Sequence, residues 1–362
     1  MYICYLILAL LFYIVYVRYK RYERIKLLLK KYSSVKNNHE AAFEITYMTS
    51  KLELPFISVK SLEFAFFRVL GIPNISKIIG STGEMVYHCG KRYDDTDLII
   101  REFCENPLDS DRAKTAIKRM NFIHKFYPIE NQEMVYTLSL FICEPPRWIN
   151  EFGWRKLMDI ETEAIYEYWK EIGIRMGIKE IPPTYDDMVK FKEDFEAKYM
   201  IYSKSNPAAT EGSIRLFLSP VPPFLQPFAR KIIYSLLDDH FRIAMDYPKQ
   251  PTWLVFLIKF LLKTRALFIR YLMLPRAIPI ARVPDKPILM TGNKYPNNHI
   301  CATNFNSDEM ESSKIYIPRF HPYEHTYLNG YKIEELGPKK FEKGKLGKLG
   351  TIQPDSISMT SH

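Results

Sequence analysis

Residues 92–127 contain the stretch that decides the fold, with RYDDT at 92–96 and RMNFIHKFY at 119–127. Around the second segment, apolar side chains recur at offsets of three, four and seven, which is the period of a helix with one buried face. They are Ala113, Ala116, Ile117, Met120 and Ile123. His124 falls four residues after Met120, on the same face. The pattern therefore predicts a helix that directs an ionisable imidazole into an apolar interior.

His124 has two interpretations that periodicity alone leaves open. A buried neutral imidazole is a common ligand of metals and of haem iron. A core histidine that hydrogen-bonds to a backbone carbonyl gives the same pattern, and periodicity alone favours it. Among the other histidines, we expect His88 in a loop and His240 in the core.

The positive charge of the chain is concentrated near its N-terminus. The 362 residues carry a formal net charge of +10, and residues 18–31 contribute +6 of it through seven basic residues against the single acid Glu23. The rest of the chain is nearly balanced, so it lacks the broad basic footprint of a nucleic-acid-binding protein. The five cysteines show no paired spacing, which is typical of a reducing compartment rather than of a disulfide framework.

Residues 1–17 form an uninterrupted uncharged run that is mostly apolar. As a helix it would span about 25 Å, close to the thickness of the endoplasmic-reticulum membrane. A cleaved signal peptide is the alternative, but no basic residue precedes the run and no small-residue cleavage site follows it. Since the basic block comes after the run, we predict a single-pass anchor whose following residues face the cytosol.

The rest of the chain has the pattern of consecutive helices. Alternating period-2 stretches are scarce, so we predict an all-α fold, a single globular helical domain with an N-terminal transmembrane anchor helix. The predicted divisions are an anchor at 1–17, a basic juxtamembrane helix and linker at 18–39, a catalytic domain at 40–337 and a disordered tail at 338–362.

Helix ends are predicted from caps and prolines. Asp109 or Ser110 should cap the His124 helix, and Thr184 a later one. We expect a helix that starts at Asn131 to end at Pro145-Pro146. Single helices are expected over about 151–176 and from 229 to about 245.

Residues 252–274 are nearly continuously apolar but contain Lys259, Lys263, Arg265 and Arg270. Four cations make a bilayer crossing costly. Two interpretations remain, a core helix with snorkelling cations and a helix that contacts the membrane surface.

Several motifs resemble those of the mpaB family of membrane-bound fungal oxygenases, which is related to the latex-clearing, rubber-cleaving oxygenases. The likeness covers residues 65–325, with its sharpest motifs at 80–185. The motifs are KRYDDT at 91–96, RMNxxHxxY at 119–127, YTLS at 136–139, EPPRW at 144–148, FGWR at 152–155, YW at 168–169, GIRM at 173–176 and IP at 181–182.

This resemblance implies a haem b cofactor. In the rubber-cleaving relatives an arginine and a threonine at the spacing of Arg92 and Thr96 lie over the haem, and a later histidine ligates the iron. His124 matches that proximal ligand, which makes it the implied cofactor-binding and metal-binding residue. Arg92 and Thr96 would line the opposite face as catalytic residues, where donors stabilise iron-bound dioxygen. Some relatives have a lysine at the position of Asp95, and a carboxylate cannot replace that neutral amine ligand.

The function implied by the resemblance is that of a membrane-anchored, O2-dependent oxygenase of secondary metabolism. It would cleave a carbon–carbon double bond in a lipophilic, isoprenoid-like small molecule at the endoplasmic-reticulum membrane, with membrane lipid as a further partner. The alternative is a membrane-associated haem- or lipid-binding protein without turnover. Arg92 and Thr96 beside His124 favour the enzyme.

Overall fold

The computed structural model describes residues 2–280, 331–338 and 341. Within them the chain forms fourteen α-helices and no β-strand, which confirms the all-α prediction. The helices are α1 Tyr2–Lys31, α2 His39–Tyr47, α3 Pro55–Val69, α4 Pro73–Ser81, α5 Glu84–Tyr87, α6 Cys89–Cys104, α7 Asp111–His124, α8 Asn131–Phe152, α9 Asp159–Arg175, α10 Tyr185–Tyr199, α11 Ser205–Leu218, α12 Gln226–Tyr234, α13 Asp239–Ala244 and α14 Thr252–Leu272. A π-helical segment, Met48–Glu53, and the 3-10 turns Pro223–Leu225 and Ile333–Glu335 complete the described elements.

The chain divides into two compact units. The first contains Met1–Val86 and Glu130–Ile280, and the second contains Tyr87–Ile129 and Ala281–His362. The predicted catalytic domain of 40–337 includes parts of both units, and its boundaries stay a prediction. The predicted tail lies outside the described residues except for Pro338 and Phe341.

The first unit is built around α8, which packs against α3, α9 and α10. Its main core includes Phe67, Tyr136, Leu140, Phe195 and Ile214. At the contact of α8 with α9, a Cβ on Gly173 would lie 2.6 Å from a methyl carbon of Leu138. A larger residue would therefore force the Leu138 side chain to move, which gives a packing reason for the glycine in the GIRM motif.

Helix α8 continues through Pro145 and Pro146 to Phe152, so the prediction that these prolines end it is wrong. Each proline removes a backbone donor and costs about 3 kcal/mol in a helix interior. The helix persists because both prolines and the residues after them, including Trp148 and Ile149, are buried in the first unit. Tertiary packing here outweighs a local signal.

Two predicted helices have different bounds. Helix α9 begins at Asp159 and not near 151, because Gly153 adopts an extended conformation after α8 and the Glu161 carboxylate then accepts a hydrogen bond from the backbone N–H of Met158 at 3.0 Å. The helix predicted from 229 to about 245 is split into α12 and α13. Asp238 caps α13 by accepting from the Phe241 N–H at 3.0 Å, which starts a new helix at that point.

Two predicted caps are confirmed. Ser110 accepts from the Ala113 N–H at 3.2 Å and starts α7, and Thr184 accepts from the Asp187 N–H at 3.1 Å and starts α10. In both cases a short polar side chain satisfies a backbone donor that the first helical turn leaves unpaired.

Helix α1 is continuous through the apolar run and the basic block. Among the described residues it is the helix that is long and apolar enough to cross a membrane, although a signal sequence has the same properties. Its buried side chains all lie in its second half, at Val17, Arg21, Ile25 and Leu28. The anchor and its orientation stay predictions.

Helix α14 runs antiparallel to α1. Tyr13 donates from its hydroxyl to the Leu272 carbonyl at 3.0 Å, whereas Ile25 packs in one cluster with Leu262 and Ile269. Only Leu254, Ile258 and Ala266 of α14 are buried. The core-helix interpretation of residues 252–274 is therefore wrong for most of the apolar side chains, which are exposed.

In the second unit, α6 packs against α7, and residues 331–338 lie along α7. Leu98, Phe103, Ala113 and Ile117 are buried there. The apolar period of α7 thus predicted its buried face, while His124, its last residue, is partly buried.

Candidate functional site

Arg92 and Thr96 lie one turn apart on α6 and are joined to each other. The Arg92 guanidinium donates a short hydrogen bond to the Thr96 hydroxyl, and that hydroxyl donates to the Arg92 carbonyl at 2.9 Å. Both side chains are partly buried. Within the described part of the chain Arg92 forms no ion pair with a carboxylate, so its full positive charge acts on its surroundings.

His124 is held by α7 with its Nδ1 atom sealed from solvent. Nδ1 has no hydrogen-bond partner among the described residues, which argues against a core histidine bonded to a carbonyl through that atom. Burial and, to a smaller extent, the positive charge of Arg92 lower the pKa of His124 to about 4. The imidazole is therefore neutral at pH 7, with a lone pair available to a Lewis acid.

The same electrostatic effect shows that Arg92 and His124 share one neighbourhood. Helices α6 and α7, which carry the three predicted site residues, pack against each other. A cation, a hydroxyl and a neutral imidazole can bind an electron-poor metal centre on one group and donate hydrogen bonds from the others.

Asp95, next to Thr96 in the sequence, is paired with Lys91 of its own helix. Its carboxylate accepts from Lys91 Nζ at 3.0 Å and 3.2 Å, and the same ammonium donates to the Gly337 carbonyl at 2.7 Å. Both side chains are buried. Asp95 is therefore neutralised by its own helix and links α6 to the segment at 337, a structural role that leaves Arg92 as the cation next to His124.

Arg119 is a residue of this unit that hydropathy reasoning missed. It is almost completely buried, and its guanidinium donates to the Leu336 carbonyl at 2.7 Å. Gly337 follows with a φ of +109°, and a Cβ there would lie 2.6 Å from Ile123, next to His124. Arg119 and Gly337 thus fix residues 331–338 against the end of α7. The only signal for Arg119 was its place in the RMNxxHxxY motif.

The other histidines do not add to this site. His88 precedes α6 and is exposed, as expected for a loop. His240 is exposed and its Nε2 lies 3.1 Å from the Met200 carbonyl, so its predicted core position is wrong. No group of three or more His, Cys, Asp or Glu side chains with metal-binding geometry occurs in the part of the chain that is described.

The first unit contains a buried ionic cluster, formed by Arg68, Tyr136, Glu144, Lys192 and Glu196. Arg68 pairs with both Glu196 oxygens at 2.6 Å and 2.7 Å, and Tyr136 donates to Glu196 at 3.1 Å. Lys192 lies 3.3 Å from Glu144 and 3.5 Å from Glu196. Burial opposes the charge of Arg68, but Glu196 outweighs it and the Arg68 pKa is raised.

Two of the sequence motifs, YTLS and EPPRW, supply Tyr136 and Glu144 to this cluster. Arg68 also donates to Asp238. Opposite charges and hydrogen bonds within the cluster compensate one another, as is typical of a buried network that fixes a fold. The cluster is therefore a structural feature of the first unit.

Three curated fungal proteins are similar to the chain. It is 33% identical over 341 residues to the ER-bound oxygenase mpaB' of Penicillium brevicompactum, an alignment that covers 86% of the chain and 80% of the relative. It is 33% identical to the ER-bound oxygenase mpaB of Penicillium roqueforti over 62% of the chain and 83% of the relative. It is 34% identical to the ER-bound oxygenase mpaB of Penicillium brevicompactum over 57% of the chain and 60% of the relative. No protein-family model matches.

Proposed function

Because the chain belongs to the mpaB family of ER-bound oxygenases, we propose that it binds haem b through His124 and oxidatively cleaves a carbon–carbon double bond in a lipophilic, isoprenoid-like molecule. Membership of the family makes the chain an oxidoreductase that acts on a small molecule with dioxygen. The haem, the bond that is cleaved and the role in secondary metabolism are the proposal.

The haem proposal is supported by the protonation state of His124 and by the missing hydrogen-bond partner of its Nδ1 atom among the described residues. A metal ligand must be unprotonated, and burial keeps this imidazole neutral down to a pH of about 4. Its sealed Nδ1 lacks a partner within the described part of the chain, so no hydrogen bond there competes with a ligand. When bound, haem would supply the activation of dioxygen.

Arg92 and Thr96 would act as hydrogen-bond donors to the oxygen atoms of the reactants. The guanidinium has five N–H donors and uses one of them in the hydrogen bond to Thr96, so other donors remain for a bound molecule. The Thr96 hydroxyl holds the guanidinium in one orientation. Donors that are fixed before reaction cost no reorganisation when negative charge develops on oxygen.

We further propose that residues 1–17 anchor the enzyme in the endoplasmic-reticulum membrane with the rest of the chain in the cytosol. The relatives are named ER-bound, and α1 carries an exposed apolar first half followed by the basic block. Long apolar substrates partition into lipid, so a membrane anchor suits them. Protease added to sealed microsomes should digest the chain, and protection without detergent would contradict the orientation.

The haem proposal is tested by the visible absorption spectrum and iron content of the full chain purified in neutral detergent. The wild type should show a Soret band with one iron per chain, and His124→Ala should fold but lose both. His240→Ala is the matched control, because His240 is exposed, and it should keep both. Full haem occupancy with an unchanged spectrum in His124→Ala would contradict the proposal.

The reaction is tested separately, by incubating the haem-loaded enzyme with an isoprenoid alkene such as squalene under isotopically labelled dioxygen. Label in carbonyl products is the expected result. Haem binding without any oxygen-dependent product from a panel of alkenes would favour the non-catalytic haem-binding alternative.

A further inference from the structure

A cavity of about 290 Å³ lies in the first unit, between α1, α14 and residues 52–57. Most of its lining is apolar, including Phe56, Phe268 and Leu274. Its charged lining consists of three arginines, Arg21, Arg265 and Arg276, and one acid, Glu53. Such a combination of cations and apolar walls suits a molecule with an anionic head and an apolar tail.

Part of the positive charge of this cavity is not neutralised by its lining. Arg265 stacks its guanidinium 4.0 Å from the centre of the Phe56 ring and has no carboxylate partner in the described part of the chain. Burial lowers the pKa of Arg265, and the charge of Arg276 lowers it further, as expected when two cations face each other.

Glu53 compensates part of this charge, because it raises the pKa of Arg21 and pairs with Arg24. One of its carboxylate oxygens accepts a short hydrogen bond from Arg24, which also donates to the Arg276 carbonyl at 2.5 Å. Arg21 donates to the Met273 carbonyl at 2.7 Å and to the Leu274 carbonyl at 3.1 Å. The backbone carbonyls of this segment thus accept hydrogen bonds from Arg21 and Arg24. A bound anion would pair with the remaining cations of the lining.

The cavity lies at the end of the apolar run of α1. Arg21 follows Val17 by four residues, a rise of about 6 Å along the helix axis. Helix α14 ends at Leu272 beside Tyr13, and the chain then turns back along α1, because Met273 accepts from Arg21 and Arg276 accepts from Arg24. If residues 1–17 cross the bilayer, the C-terminal end of α14 meets the membrane at the depth of the lipid phosphates.

The apolar walls nearest to this end are exposed. Phe268 is 53% exposed, Leu274 is 47% exposed and Met273 is 39% exposed. They extend the exposed apolar surface of the first half of α1, which includes Phe12 and Tyr16. An acyl chain that follows this surface would remain in contact with apolar side chains from the cavity into the bilayer.

We infer that the cavity binds an anionic phospholipid of the membrane that holds α1, with the phosphate between Arg265 and Arg276 and an acyl chain against Phe268 and Leu274. This site goes beyond the proposed reaction and rests only on the proposed anchoring of residues 1–17. Such a lipid would fix α14 against α1 and thereby set how the first unit approaches the membrane surface.

The test uses the full chain in nanodiscs that contain phosphatidylcholine and phosphatidylinositol in equal amounts. After release into neutral detergent, native mass spectrometry measures which lipid stays bound. The wild type should retain one phosphatidylinositol at five or more times the level of phosphatidylcholine. The double variant Arg265→Gln with Arg276→Gln should lose this preference, and Arg265→Lys with wild-type Arg276 should keep much of it.

Lys263→Gln is the matched control, since Lys263 is an exposed cation on the same helix outside the cavity. It should retain the wild-type preference. A preference that survives in the double variant, or that Lys263→Gln abolishes equally, would overturn the inference in favour of diffuse surface charge. Displacement of the lipid by millimolar inorganic phosphate would also overturn it and indicate a site for a free anion.

Incorporation into nanodiscs is scored separately for every variant. The anchor alone should insert all of them. Failure of the wild type to insert would contradict the anchoring proposal, whereas insertion without lipid preference would contradict the cavity proposal only. Haem content, measured on the same samples, reports independently on the proposed function.

Discussion

Buried polar groups differ in their pairing between the ionic cluster of the first unit and the candidate site of the second unit. In the cluster, Arg68 donates two hydrogen bonds to the Glu196 carboxylate, and Tyr136 donates to the same carboxylate. In the candidate site, the sealed Nδ1 of His124 has no partner among the described residues. Arg92 has a hydroxyl partner in Thr96 but forms no ion pair there.

The difference separates a group that holds the fold from a group available to a ligand. Compensated charges contribute to a fixed arrangement, and removal of one member leaves the others buried and unpaired. An uncompensated polar group costs stability until something binds it. Both regions carry motifs of the oxygenase relatives, so motif membership alone does not distinguish the two roles. Mutations in the two regions should therefore affect different observables.

The largest expected effect on stability is that of Arg68→Met. It leaves the Glu196 carboxylate buried without its bidentate partner, and breaking such a pair costs roughly 3–5 kcal/mol. Urea unfolding of the detergent-solubilised chain measures this loss. The control is Arg230→Met, because Arg230 also forms two hydrogen bonds to one carboxylate, that of Glu211, but the two side chains are 31% and 41% exposed to solvent.

Arg230→Met should cost less than about 1 kcal/mol, as exposed pairs do. Haem content per folded molecule should stay constant in both variants. Loss of haem in Arg68→Met without loss of stability would indicate that the cluster belongs to the functional site and not to the scaffold.

An intermediate effect of pH is expected in the haem-free chain, in which the His124 imidazole is not bound to iron. The pKa of His124 is about 4 in the folded chain and about 6.5 when unfolded, so above pH 6.5 both states are neutral there and His124 contributes no pH dependence. Between pH 6.5 and pH 4 the unfolded state binds the proton first. The free energy of unfolding should therefore fall with decreasing pH, by up to about 3 kcal/mol from this residue.

His124→Gln removes this titration, so the stability difference between wild type and variant should change over the same pH range. The measurement is unfolding at pH 4, 5, 6 and 7 in parallel. Identical pH profiles for the two proteins would mean that the imidazole is not held neutral. They would contradict the proposed difference between His124 and the paired groups of the ionic cluster.

The smallest effect is expected from Arg92→Ala and Thr96→Ala. Each removes a donor near the reactants but few apolar contacts, so melting temperatures should stay near that of the wild type. Oxygen-dependent cleavage should slow tenfold or more, which corresponds to about 1.4 kcal/mol of barrier. Turnover per haem and thermal melting are measured on the same samples.

Thr184→Ala provides the control for a purely structural threonine. Thr184 caps α10, so this variant should lose about 1 kcal/mol of stability and keep its turnover. If Arg92→Ala and Thr96→Ala behave like Thr184→Ala, they belong to the scaffold, and His124 alone remains in the candidate site.

The class of fold and the family could be predicted from the sequence, and the candidate site at Arg92, Thr96 and His124 stays a prediction. Periodicity is a local property, so the apolar spacing around Ile117 predicted α7, and short polar caps at Ser110 and Thr184 predicted where two helices begin. The motifs around Arg92 and His124 indicated the oxygenase family, which the relatives confirm. They did so because a family keeps its residue types at fixed spacings.

Tertiary contacts settle which local signals are overruled and which polar groups are compensated. Helix α8 passes through Pro145 and Pro146 because burial on both sides outweighs two lost hydrogen bonds. Asp95 is paired with Lys91, whereas the sealed nitrogen of His124 lacks a partner in the described part of the chain. These outcomes depend on segments distant in sequence, such as the contact of Lys91 with Gly337. Hydropathy patterns and spacings do not contain such contacts.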